Sequence, residues 1–124
     1  MKETVYKITC LPTNKIYIGR TSKELNKRLK NHYSDAKNDP ATYQRPLHIA
    51  IRYFGIDNFK IEKIGEIVGK DAYELNIKEQ EFILKYNAFY PDGYNVCGLF
   101  GKKLKECKKK QLENFFTKGI SYEI

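Results

Sequence analysis

At 124 residues the chain can bury one hydrophobic core without staples and is too short for several domains. A hydrophobic fraction of 41% fits a folded protein, and a net charge of +8 with a pI near 9.3 suits a polyanionic partner, nucleic acid first, or else simply a lysine-rich surface. Cys10, Cys97 and Cys107 form no C-x-x-C pair and are too scattered relative to His32 and His48 to suggest a zinc site, so reduced thiols are expected.

Residues 4–10 are β-branched and aromatic and predict a strand. Pro12 and Asn14 favour a hairpin turn, with residues 15–20 as the return strand. Thr21 is positioned to cap the next helix, with Glu24 closing a capping box. That helix runs to about Ala36 and places Leu25, Leu29, His32 and Ala36 on one face. The polar stretch 37–44 is a loop. Pro46 starts a second helix that buries Leu47, Ala50, Ile51 and Phe54 and stops at Gly55. Residues 59–68 predict a third strand, bulged at Gly65. Asp71 and Glu74 suit a second capping box for a helix from Ala72 to Tyr86, and Asp92-Gly93 makes a turn. Residues 98–124 hold seven lysines and three glutamates, a net +4, and read as a basic amphipathic helix with Leu104, Cys107, Leu112 and Phe115. The order β-β-α-α-β-α predicts an α+β fold. No signal-peptide pattern follows Met1, so an intracellular protein is expected. No run approaches the roughly 18 apolar residues of a membrane span.

Pairing Cys10 with Lys15 across the turn sets Ile8 opposite Tyr17 and Tyr6 opposite Gly19. The two tyrosines then share a face diagonally, and Gly19 leaves space beside the Tyr6 ring. That space admits a ligand, or else the tyrosines only cover the sheet. Arg28 sits at the edge of the apolar helix face and leans toward the sheet. It can grip a phosphate through its planar fork, or snorkel with its head in water. His32 lies inside the stripe as a hydrogen-bonded core histidine or a phosphate contact. Glu79 falls on the apolar face formed by Leu75, Phe82, Ile83 and Tyr86. A carboxylate there is costly unless compensated. Two partners are open: the Arg28 guanidinium, or a hard divalent cation such as Mg²⁺ held through oxygen.

Taken in order, Tyr6, Tyr17-Ile18-Gly19, Arg28, Glu79 and Gly93-Tyr94-Asn95 resemble the GIY-YIG endonuclease superfamily over roughly residues 4–97. The resemblance implies a small central three-stranded antiparallel sheet flanked by helices, with a nuclease-like domain over 1–97 and a basic segment over 98–124. It implies a DNA endonuclease that cleaves a phosphodiester with one divalent metal, Mg²⁺ or Mn²⁺ in its place. Residue by residue, it implies Tyr6 as general base, Tyr17 as its support, Arg28 on the phosphate, Glu79 as metal ligand and Asn95 as an organiser of the site. Gly19, Arg20 and His32, with Lys108, Lys109 and Lys110 of the tail, are candidate nucleic-acid contacts. The chain departs from the pattern at Thr4, where the first motif has glycine, and has no histidine among residues 41–45. The alternative is a catalytically weak nucleic-acid-binding module that retains the fold.

Overall fold

The computed structural model describes residues 1–96, so the basic tail and Lys108, Lys109 and Lys110 lie outside the described residues. Three strands, β1 (Lys2–Cys10), β2 (Ile16–Thr21) and β3 (Phe59–Val68), form one antiparallel sheet in the order β2-β1-β3. Three helices flank it: α1 (Leu25–Asn38), α2 (Pro46–Phe54) and α3 (Ala72–Lys85). A single 3-10 turn, Ile56–Asn58, joins α2 to β3. No helix among the described residues is long and apolar enough to cross a membrane.

Strand alternation divides the core in two. Tyr6, Ile8 and Cys10 of β1 pack with Leu47, Ala50 and Ile51 of α2 and Ala36 of α1. Val5 of β1, Ile18 of β2 and Ile67 of β3 pack with Leu75 and Ile83 of α3. The sheet therefore has α1 and α2 on one face and α3 on the other. Among the described strands, β1 alone pairs on both edges, and its core residues are fully buried.

The hairpin register is the expected one. The Cys10 amide donates to the Lys15 carbonyl at 3.0 Å, Ile8 opposes Tyr17 and Tyr6 opposes Gly19. Other local expectations need correction. β1 begins at Lys2, because pairing with β3 extends to Val68. The bulge falls at Ile64: Val5 faces Gly65 and Tyr6 faces Lys63, which leaves Ile64 as the extra residue. Thr21 does not cap α1. Its Oγ1 accepts from the Lys23 amide at 3.0 Å, and the helix starts one turn later, after Glu24, without a side-chain cap. Asp71 does cap α3, accepting from the Glu74 amide at 2.9 Å. Glu74 does not close the box, because its carboxylate turns to the Lys70 amide at 3.5 Å. Pro46 opens α2 as its sequence predicts, and Gly55 ends it at φ 86°, a conformation that favours glycine.

Candidate active site

The site is built around β2, whose outer edge pairs with none of the described strands. At Gly19 the strand has no side chain, and the Tyr6 hydroxyl fills the room. A Cβ there would lie 2.3 Å from that oxygen. The sequence suggested an open gap beside the ring; the structure has the hydroxyl itself in it. Tyr17 lies on the same face, with ring centroids 6.3 Å apart.

Helix α1 brings two side chains to the Tyr6 hydroxyl. Arg28 Nε donates to it at 3.2 Å, and His32 Nε2 lies 2.8 Å away. Arg28 therefore leans toward the sheet, and His32 is a hydrogen-bonded core histidine. Behind it, His32 Nδ1 is 3.2 Å from His48 Nε2, and His48 Nδ1 is 3.0 Å from the Thr42 carbonyl oxygen. Burial pushes the Tyr6 hydroxyl pKa well up; the neighbouring Tyr17 adds to this, and Arg28 opposes it. Burial likewise raises Tyr17, with the Glu79 charge reinforcing it. Burial lowers the His32 imidazole to about 3, helped by the positive charge of Arg28 and by His48 and Arg45.

The opposite face of the sheet supplies the acidic half. Arg20 donates to Glu3 at 2.6 Å and to Asn76 at 2.6 Å. Its Nε stands 3.8 Å from Glu79. Arg28, the cationic partner open from sequence, is not the one observed: the ion pair of Glu79 runs to Arg20 instead. That pairing is long, and Arg20 is shared with Glu3. Burial consequently raises the Glu79 carboxyl to about 7, against the lowering effect of Arg20.

The two halves meet at β2. Tyr6, Tyr17, Arg28, Arg20, Asn76 and Glu79 line one open polar cleft of roughly 400 Å³. Asn95 stands behind it. Its Oδ1 accepts from the Ile18 amide at 2.8 Å, and its Nδ2 donates to the Ile18 carbonyl at 2.8 Å. This holds β2 between Tyr17 and Gly19. The turn that delivers Asn95 is tied down by the Tyr94 amide to Ile16 and the Asn95 amide to Ala88.

Three participants escaped the sequence reading. His48 adjoins Leu47 and precedes Ile51 by three, which puts it on the buried face of α2. Glu3 shares a strand face with Val5, diagonal to Arg20. Asn76 precedes Glu79 by one helical turn.

The GIY-YIG catalytic domain family model matches residues 2–95. This chain belongs to that family. Among solved structures, a point mutant of the catalytic domain of the intron endonuclease I-TevI is similar to it at 25% identity and a TM-score of 0.60, covering 77% of this chain and 94% of that one. The catalytic domain of the homing endonuclease I-TevI gives 21% identity and 0.57, covering 76% and 97%. The MSV199 domain-containing protein 146R of Invertebrate iridescent virus 6 is 33% identical over 73 residues, 59% of this chain. The match spans 29% of that viral protein's length. The fold and the family are those of an endonuclease catalytic domain.

Proposed function

We propose that the chain hydrolyses phosphodiester bonds in DNA, with Tyr6, Arg28 and Glu79 as the chemical centre. The observation that carries this reading is the cleft itself. It joins a buried tyrosine hydroxyl already bonded to a guanidinium with a carboxylate that lacks close compensation.

The donor set suits a hard divalent cation. Among the described residues no three histidine, cysteine, aspartate or glutamate side chains gather as a cage. Mg²⁺, however, commonly takes one or two carboxylates and completes its shell with water and substrate phosphate. Glu79 would hold it, and the cation would offset the cost of burying this carboxylate's charge, the cost that raises the carboxyl to about 7. The cation when bound supplies neutralisation of the phosphate and of the leaving oxygen. Mn²⁺ would serve in its place.

The protein's own groups account for the rest. Arg28 holds the Tyr6 oxygen through Nε, so its terminal nitrogens are the ones to meet a phosphate. That same bond favours the phenolate, which Tyr6 needs to act as general base on a water. Tyr17 stands diagonally beside it to orient the water, and Asn95 fixes the strand that carries Tyr17 and Gly19. Lys108, Lys109 and Lys110 would add sequence-independent phosphate affinity.

The test is nicking of supercoiled plasmid with Mg²⁺, Mn²⁺ or EDTA. Metal-dependent nicking by the wild-type chain, lost in Arg28→Ala, is expected. A fully active Arg28→Ala chain overturns the role of that arginine. Metal-independent DNA binding without any cleavage of plasmid or branched DNA would favour the non-cleaving module instead. Changing Lys108, Lys109 and Lys110 together to Gln should flatten the salt dependence of DNA binding.

A further inference from the structure

Resting on the nuclease reading, we propose that His48 is a positioning residue of the site. Through His32 it fixes the Tyr6 hydroxyl as a hydrogen-bond donor toward α1, which leaves the lone pairs of that oxygen to Arg28 and the cleft.

The directions follow from one backbone oxygen. The Thr42 carbonyl can only accept, so His48 Nδ1, 3.0 Å away, carries a hydrogen. In the neutral ring His48 Nε2 is then bare and accepts. Its neighbour at 3.2 Å, His32 Nδ1, must donate. A neutral His32 accordingly presents a bare Nε2 to the Tyr6 oxygen at 2.8 Å, and the hydroxyl donates to it. Burial and nearby positive charge keep both rings neutral, since each loses proton affinity in this environment. The chain thus runs one way, from Tyr6 through two imidazoles to the backbone of the loop before α2. The opposite tautomer of His32 would aim two hydrogens at each other at His48 and leave Tyr6 without an acceptor.

The Tyr6 oxygen is thereby oriented. Its hydrogen points at His32 Nε2, and its lone pairs are left for the Arg28 Nε hydrogen and for the cleft. Without an acceptor at His32 the hydroxyl would be free to turn its hydrogen into the cleft, where a water or a phosphate would stand.

Two measurements on the full chain test this. In two-bond ¹⁵N–¹H spectra at neutral pH, both histidines are expected neutral and protonated at Nδ1. A His32 that is charged or protonated at Nε2 overturns the proposal without any variant. In single-turnover nicking, His48→Leu is expected to lose about tenfold to a hundredfold in rate at unchanged DNA affinity, the scale on which removal of an orienting partner acts. His48→Gln offers one acceptor and one donor in the same place and should recover most of that loss. Equal rates in all three chains overturn the positioning role. So does an equal loss in two variants that both stay folded, because packing alone would then explain it. A wild-type chain that binds DNA without nicking removes the catalytic consequence together with the nuclease reading, while the spectra still decide the hydrogen-bond directions.

Discussion

The two halves of the cleft differ in how completely their polar groups are satisfied. On the α1–α2 side, Tyr6, Arg28, His32 and His48 form a continuous chain of bonds between 2.8 and 3.2 Å that ends on a backbone carbonyl. On the α3 side, Arg20 is held tightly by Glu3 and Asn76 and reaches Glu79 only at 3.8 Å. The first half is finished by folding. The second is left with a carboxylate that the protein does not fully neutralise. A closed network rigidifies its members, whereas an unfinished one leaves a charge still to be met.

The sharpest way to break this contrast is at Glu79. Glu79→Gln should remove metal-dependent nicking, by at least about a hundredfold if the carboxylate supports the electrostatic stabilisation expected of such a site. Folding should respond in the opposite direction. The folded carboxyl titrates near 7 and its ordinary value is 4.5, so the folded state binds more protons between these values. Stability in EDTA should therefore fall as pH rises through that window, and Glu79→Gln should lose this slope. Thermal melts at several pH values, with and without Mg²⁺, measure it; Mg²⁺ should raise the melting temperature of the wild-type chain and leave the variant unmoved. An identical slope in both chains would mean that Glu79 is as well compensated as the tyrosine side.

Gly19→Ala probes the seam between the halves. The added methyl must displace the Tyr6 hydroxyl, since 2.3 Å is far inside contact distance. A loss of about 1–3 kcal/mol is expected from overpacking, with activity lost as the bond to His32 is disrupted. Denaturant midpoints and nicking assays read the two effects. Asn95→Ala should cost a comparable or smaller amount, about 1–3 kcal/mol, because the Ile18 amide and carbonyl lose their partners. The smallest effect belongs to Thr21→Ala. A true helix cap would cost about 1 kcal/mol, whereas Thr21 bonds only the Lys23 amide ahead of the helix, so denaturant unfolding should change by less than that.

The sequence made the hairpin register legible because side-chain alternation has a period of two, and one turn fixes the pairing. It also made legible the ends of α2, where Pro46 and Gly55 carry their own backbone preferences. The start of α1 was not legible. Thr21 and Glu24 have the spacing of a capping box, but Thr21 is still paired in β2 opposite Thr4, and the helix waits until the strand has ended. The meeting of Tyr6, Tyr17 and Arg28 was readable from strand face and helical spacing. The partner of Glu79 was not, because Arg20 lies on the opposite sheet face from the tyrosines and meets Glu79 only through the packing of α3 against the sheet. The histidine pair was hidden for a related reason. Helical spacing puts His32 and His48 on buried faces, but only the packing of α1 against α2 brings the two rings together.

The amide of Asn95 has a consequence for how molecules of this protein meet one another. A free strand edge presents amides and carbonyls that a second chain can pair with, and such edges invite association. At Ile18 both groups are already taken by one side chain from 77 residues away. A neighbouring molecule that tried to extend the sheet at β2 would find the middle of the strand already occupied.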